Sequence, residues 1–162
     1  MKTVVQCGHV SNAGRTAARL RAGLCRRRAT AGPFTLWDGK ESIEQYAKRT
    51  NLPAKKTLDL GNGVKLELVL IPVGKFLMDS KDEAPQHEVT ISKPFYMGKY
   101  EVTQEQYEAV MGKNPSNFKG ATLPVETASW GDATKFCKKV SDKAGQTVRL
   151  ATEAEWEFAC RA

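Results

Sequence analysis

Alternating apolar and polar residues predict a β-hairpin in the middle of the chain. Between residues 64 and 70 the sequence is VKLELVL, a run in which every second residue is apolar. A shorter apolar run, TLDL, precedes it, and the turn-forming pair Asn62-Gly63 lies between the two. Toward Ile71 the second run becomes apolar at every position, which indicates that its end lies in the interior. We expect residues 64–73 to aggregate if their neighbouring strands are missing, because the run is long, apolar and low in charge.

Three short extended runs follow the hairpin before any helical periodicity begins. They cover residues 75–78, 87–92 and 95–102, with Pro85 and Pro94 in the segments that separate them. The spacing predicts short strands interrupted by turns.

Four stretches have the periodicity of amphipathic helices. The first is predicted over residues 40–48, before Pro53. The other three each begin with a capping-box pair, in which a Ser or Thr precedes an acidic residue or Gln by three positions. These pairs are Thr103 with Gln106, Ser129 with Asp132, and Thr152 with Glu155. Gly112 and Gly145 are suitable C-terminal stops for the first two of these three helices.

The last predicted helix is apolar on two sides. One face consists of Trp156, Ala159 and Cys160, and another of Ala154 and Phe158. We therefore expect this helix to be buried between layers. Trp130 and Trp156 are interpreted as core residues rather than as a ligand-stacking pair, because each lies at a helix start within an apolar pattern. The order of elements, without βαβ alternation, predicts an α+β fold.

The net charge of +7 originates in the first 32 residues. That segment has no Asp or Glu, whereas residues 33–162 carry 18 basic and 18 acidic residues. We predict that residues 1–32 form a disordered basic tail or lie upstream of the true start, and that 33–56 form a linker with a short helix. A transit peptide and a nucleic-acid-binding arm share the composition of the tail. The neutral remainder gives no reason to bind polyanions, so no nucleic-acid partner is predicted.

The sequence shows neither a recognisable secretory signal nor a membrane span. The basic segment lacks the apolar run of about 7–15 residues that a secretory signal needs. No stretch approaches the roughly 20 continuous apolar residues of a spanning helix. We therefore predict no membrane partner and assign no compartment.

The cysteines do not have metal-binding spacing. Cys7 and Cys25 lie in the basic segment, and Cys137 and Cys160 lie on separate predicted helices, so no CxxC or zinc pattern occurs. The latter two fall on apolar faces with no adjacent cation to lower a thiol pKa. We predict that both are buried, unreactive thiols.

Two other polar clusters receive structural interpretations. His87 with Asp82, Glu83 and Glu88 fits neither a calcium-binding EF-hand loop nor a zinc pattern, so we interpret it as the beginning of a strand.

The carboxylates Glu153, Glu155 and Glu157 are too close in sequence to form a hydrolase pair. Those in the first turn complement the helix dipole. Lys138 and Lys139 are interpreted as part of a solvated helix face.

Five motifs, in order and at close spacing, resemble one protein family. They are GKFLM, DEAPQHEV, YMGKYEVTQEQY, LPVETASWGDATKFC and RLATEAEWEFACR. Together they resemble the amino-terminal half of the formylglycine-generating enzyme, or sulfatase-modifying factor, family over residues 58–162. The resemblance implies an α+β, elaborated C-type-lectin-like fold with short strands, few helices and long loops. We expect residues 57–162 to form the amino-terminal part of such a domain, and the fold to be incomplete.

The resemblance also implies a chemistry. Family members oxidise a sulfatase cysteine to formylglycine with molecular oxygen and a copper ion held by two thiolates. In the family, a second half of comparable length carries the reactive cysteine pair, the copper site and most calcium ligands. Copper and calcium would thus be bound by residues beyond Ala162, and no catalytic, cofactor-binding or metal-binding residue is assigned to this chain. Cys137 and Cys160 match structural cysteines of the family.

The sequence departs from the family pattern at two positions, neither of them catalytic in the family. Asp79 stands where the family has Gly, and Ala151 where it has Pro. The first change is expected to strain a turn that requires positive φ, and the second to relax the start of the last helix.

We therefore predict a truncated formylglycine-generating-enzyme-like protein that is inactive by itself. In the complete protein its partner would be a sulfatase peptide or protein. The alternative is a noncatalytic C-type-lectin-like interaction module. A downstream reading frame that encodes the paired cysteines would favour the enzyme. A nucleic-acid binder with a basic tail is a third, weaker hypothesis, and salt-independent failure to bind DNA would exclude it.

Overall fold

The predicted hairpin and capped helices are present in the structure, a computed structural model that describes residues 3–6, 36–37, 39–79 and 85–161. The strands in these ranges are β1 Thr3–Gln6, β2 Lys55–Gly61, β3 Val64–Ile71, β4 Gly74–Met78, β5 His87–Ile91, β6 Phe95–Gly98 and β7 Val148–Leu150. The helices are α1 Ile43–Thr50, α2 Gln104–Met111, α3 Trp130–Ala144 and α4 Glu153–Arg161. This mixture is the predicted α+β class.

The larger sheet has five strands, in the order β2-β3-β6-β1-β7, and every neighbouring pair is antiparallel. Asn62 and Gly63 form the turn between β2 and β3 with φ angles of 54° and 79°. β3 has a neighbour on each side. The condition for the predicted aggregation of residues 64–73 is therefore not met. β4 and β5 form a separate two-stranded sheet.

The alternation along β3 divides the core into two clusters on opposite faces of the sheet. Leu66, Leu68 and Leu70 belong to the larger cluster, and Ile71 belongs to the smaller one. Helices α1, α2 and α3 contribute to the larger cluster through Tyr46, Tyr107, Phe136 and Val140. In the smaller cluster, Phe158 of α4 joins Ile71, Ile91, Phe95 and Met97. Each face of the sheet is thus covered by helical side chains.

All three predicted capping boxes are present, and α1 begins with a fourth that was not predicted. In α1, the Gln45 backbone N donates to Ser42 Oγ at 3.2 Å, and the Ser42 backbone N donates to Gln45 Oε1 at 2.8 Å. This helix therefore begins at Ile43 rather than at residue 40. Asn51 ends it in the left-handed conformation, with φ of 55°.

The segment predicted as a linker contacts the rest of the fold. The Val73 backbone N donates to the Tyr46 hydroxyl at 3.3 Å, and the Trp37 backbone N donates to the Val73 carbonyl at 2.9 Å. None of the helices within the described ranges is both long and apolar enough to span a bilayer. The division of the chain into tail, linker and domain remains a prediction.

Four residues of the predicted tail form a strand. β1 lies between β6 and β7, with Val4 opposite both Met97 and Arg149. Thr3, Val4 and Val5 are β-branched, which favours extended backbone. The prediction of disorder was based on the composition of all 32 residues, and the Arg-rich remainder of that segment outweighed the four residues of β1. Residues 7–32, including Cys7 and Cys25, lie outside the described residues.

Candidate functional site

The two described thiols have different environments. Cys137 of α3 is buried in the larger core cluster, and burial raises the pKa of its thiol to about 11. Cys160 of α4 is exposed, so the prediction that it is buried is wrong. Helix α4 packs on the sheet through Phe158. Its other apolar face carries Cys160. The sequence alone does not show which of the two faces is packed against the sheet.

These thiols do not fit a two-thiolate copper site. Such a site needs two convergent, deprotonated sulfurs. Cys137 lies within the core under α3, whereas Cys160 is exposed on α4, and the raised pKa keeps the Cys137 thiol protonated at neutral pH. Within the described ranges, no group of three or more His, Cys, Asp or Glu side chains is arranged to hold a metal such as calcium.

Cys160 should react with a maleimide much faster than Cys137. The pKa of about 11 leaves Cys137 with about 100-fold less thiolate at neutral pH than an ordinary thiol, and burial slows access further. Timed labelling followed by peptide mass spectrometry separates these two sites from Cys7 and Cys25. In denaturant both should label at similar rates. Equal labelling of the two under native conditions would contradict the placement of Cys137.

The two tryptophans predicted to be in the core are on the surface. Trp130 is 77% exposed and Trp156 is 47% exposed. Trp130 is the first residue of α3, one turn before Ala133, where the buried face begins. It borders a groove of about 410 Å³ between α3 and β7, lined by Trp130, Thr134, Cys137, Lys138, Ser141, Val148, Arg149 and Leu150.

Two residues that line this groove, Ser141 and Val148, contact each other at the outer edge of the large sheet, where β7 lies. The Val148 backbone N donates to Ser141 Oγ at 2.8 Å, and the Val148 carbonyl oxygen is 3.0 Å from that hydroxyl. Ser141 Oγ therefore accepts from the Val148 backbone N, while its single hydrogen is shared between the Val148 carbonyl and the Cys137 carbonyl, which lies at 2.8 Å. An edge strand protected in this way is a poor template for pairing with another strand.

The acidic residues of α4 have structural partners. Arg149 donates to both carboxylate oxygens of Glu155, at 2.6 and 2.7 Å. Partial burial alone would raise the pKa of Glu155, but hydrogen bonds from Arg149 and Thr152 outweigh it and lower this pKa below its ordinary value. Glu157 accepts from the Asp79 backbone N at 3.2 Å and pairs with Arg161.

Acidification should therefore reduce stability through Glu155. Because its pKa is lower in the folded state, its contribution is complete above the unfolded-state pKa of about 4.3 and is lost as pH falls through the folded-state value. We expect Glu155→Gln to lower Tm at about pH 6 and to lose that effect progressively as the pH falls below about 4.3. Glu153, exposed in the same turn, is the matched control, since Glu153→Gln removes no bond to Arg149. A Tm difference for Glu155→Gln that stays constant with pH would contradict the assignment.

Asp79 adopts the strained conformation that its sequence position predicts. Its φ is 71°, in the left-handed region that favours Gly. Its carboxylate lies 3.3 Å from His87 Nδ1 at the start of β5, in agreement with the interpretation of His87 as the beginning of a strand. Asp82 and Glu83 lie outside the described residues.

A buried glutamine that was not predicted as a functional or structural residue holds the polar loop after α2. Gln104 is 1% exposed, and its amide donates to the carbonyls of Phe118 and Pro124 at 2.8 and 3.3 Å. Its carbonyl accepts from Asn114 Nδ2 at 2.8 Å and from the Gly120 backbone N at 3.1 Å. A cleft of about 810 Å³ lies beside this network, between α2 and the loop. The only signal was a polar residue in the first turn of an amphipathic helix, where exposure is the usual expectation.

Comparison with known families agrees with this architecture. The sulfatase-modifying factor enzyme 1-like domain, also named FGE-sulfatase, matches residues 61–162. The chain belongs to this family. The motifs on which the resemblance rested lie mostly on β4 to α4, within the matched residues. The sulfatase-modifying-factor match contains the whole smaller core cluster, whereas Tyr46 and Leu58 of the larger cluster precede it.

Individual relatives of this sulfatase-modifying-factor domain carry different names. Chaperone protein LppX of Paenibacillus barcinonensis is 49% identical over 126 residues, which cover 57% of this chain and 44% of that protein. Inactive C-alpha-formylglycine-generating enzyme 2 of Bos taurus is 27% identical over 169 residues, which cover 68% of this chain and 54% of that protein. The chain spans about half the length of these curated relatives.

A solved structure supports the fold class. Treponema denticola variable protein 1 superposes with a TM-score of 0.58 and 27% sequence identity, covering 67% of this chain and 57% of that one. With the family match, this confirms the predicted α+β fold of C-type-lectin-like type.

Proposed function

We propose that this chain forms the amino-terminal part of a formylglycine-generating-enzyme-like protein and that it does not oxidise a sulfatase cysteine by itself. The environment of Cys137 supports this proposal most directly. Its thiol is buried in the main core with a raised pKa, and the exposed Cys160 lies on another helix. The family chemistry needs two accessible thiolates, which these positions do not supply.

In the complete protein, the partner is a sulfatase peptide or protein. Copper and calcium are held there by residues outside the described part of this chain. The role of the present residues is to hold the sheet and the two core clusters on which the remainder is built.

An oxidation assay tests the proposal. The purified chain is incubated with a sulfatase peptide that contains the target cysteine, together with copper, oxygen and a thiol reductant. Aldehyde is measured by hydrazide labelling and mass spectrometry. We expect no more aldehyde than in the protein-free reaction, for wild type and for Cys137→Ala and Cys160→Ala alike. Aldehyde above that background that Cys160→Ala abolishes would place the chemistry in this chain.

A noncatalytic interaction module is the second candidate. Its support is the exposed Trp130 beside an apolar groove, together with relatives named as a chaperone and as inactive. Large exposed aromatic residues at a groove are typical of protein-binding surfaces. Light scattering of reduced, aggregating insulin is the test, and this candidate requires suppression that Trp130→Ala weakens. Phe118, which is also 77% exposed but does not line the groove, provides the control variant Phe118→Ala.

A further inference from the structure

The strand between β6 and β7 comes from outside the family domain. The family match covers residues 61–162, which include β6 and β7. In the sheet these two strands are not neighbours, because β1, Thr3–Gln6, separates them. The matched segment therefore contains both strands that flank β1 but not β1 itself. We call the space between β6 and β7 the slot, and these two strands its walls.

Each of the two strands that flank β1 has another partner on its far side. On its far side, β6 pairs with β3, with Met97 opposite Val69. On the far side of β7, the Val148 backbone N donates to Ser141 Oγ at 2.8 Å. The remaining backbone groups of both strands face each other across the width of one strand and need an extended segment as hydrogen-bonding partner.

We propose that the slot between β6 and β7 is an acceptor for an extended peptide strand, and that β1 is its intramolecular occupant. The partner it accepts from another polypeptide is an uncharged, β-branched segment that runs antiparallel to both walls, like Thr-Val-Val-Gln in β1. Strand addition of this kind gains affinity from backbone hydrogen bonds. This inference rests on the sheet topology and not on the proposed function.

β1 is separated from the next described element by a long stretch of sequence. Residues 7–42 separate β1 from α1, so β1 binds as a ligand on a long connection. The effective concentration of such a ligand is finite, and an external strand at sufficient concentration competes with it.

A proline substitution in the full chain tests the proposal. Val4→Pro removes a donor from a strand that pairs on both sides, and so releases β1. The probe is a fluorescein-labelled peptide of residues 1–6, followed by anisotropy. We expect saturable binding to the Val4→Pro chain and at least about tenfold weaker binding to wild type, where β1 competes. The same peptide carrying the proline is the control and should not bind.

Hydrogen exchange supplies an independent measurement. In the Val4→Pro chain, amides of residues 95–97 and 148–150 should lose protection and regain it when the peptide is added. A second variant, Val4→Gly with Val5→Gly, weakens β1 without removing a donor and should bind the peptide more weakly than Val4→Pro does. A folded Val4→Pro chain that does not bind the peptide would overturn the proposal. So would loss of the folded near-UV circular dichroism in both variants, because β1 would then be an integral strand.

Discussion

Replacing Phe158 with alanine should lower the free energy of unfolding by about 3–5 kcal/mol. The Phe158 ring is buried in the smaller core cluster, and its centroid lies 5.4 Å from that of Phe76. It is the buried residue of α4, so its removal takes away the main apolar anchor of that helix. Chemical denaturation followed by circular dichroism measures the change.

A matched control lies on the same helix. Trp156 is a larger aromatic residue but is half exposed, and Trp156→Ala should cost about 1 kcal/mol or less. If the tryptophan variant proved to be the more damaging of the two, the orientation of α4 would be wrong.

Gly74 provides a second, independent check of this contact. A Cβ atom added at Gly74 would lie 2.6 Å from Phe158 Cζ, so Gly74→Ala should cost about 1–3 kcal/mol in the wild-type chain. In the Phe158→Ala background the added methyl group has space, and the same substitution should be nearly neutral. The two changes are therefore expected to be non-additive. Additive costs would show that the ring does not lie over Gly74.

Local sequence patterns predicted most of the elements because each depends on near neighbours in the chain. The Thr103, Ser129 and Thr152 boxes each satisfy backbone groups within one helical turn, so the spacing of two residues was sufficient. The alternation of apolar and polar residues after Gly63 likewise predicted the second strand of the hairpin, because successive side chains of a strand point to opposite faces of the sheet.

The errors concern contacts between distant segments. The buried state of a helix face depends on what packs against it, and neither the exposure of Trp130 nor that of Cys160 was visible in their own helices. β1 is a stronger case. Its position depends on pairing with β6 and β7, about 90 and 145 residues later in the chain, and no local pattern contains that information.

The family resemblance supplied what the local patterns did not. It gave the lectin-like fold class from the order of motifs that span β4 to α4. It also identified Asp79 as a position that requires positive φ, which the structure has. It did not reveal the Gln104 network. The burial of this amide depends on its hydrogen bonds to four residues of the following loop, and the position of Gln104 in its own helix does not indicate them.

Replacing Gln104 should destabilise the chain by at least about 3 kcal/mol, since it leaves several buried groups without partners at once. Gln104→Ala removes the bonds to Asn114, Gly120, Phe118 and Pro124, and residues 113–124 should lose protection in hydrogen exchange. Urea denaturation measures the loss of stability.

The neighbouring glutamine and a charged isostere refine this test. Gln106 is partly exposed; its side chain caps α2 and donates to the Lys65 carbonyl at 2.8 Å, so Gln106→Ala should cost only about 1 kcal/mol. Gln104→Glu keeps the shape but places a carboxylate oxygen against the Phe118 and Pro124 carbonyls, to which the amide had donated. That variant should recover stability relative to wild type as pH falls, because a protonated carboxyl again donates to one of the two carbonyls. If Gln104→Glu instead matched wild type at neutral pH, the amide would not be donating to these carbonyls, and the loop would have to be held by other contacts.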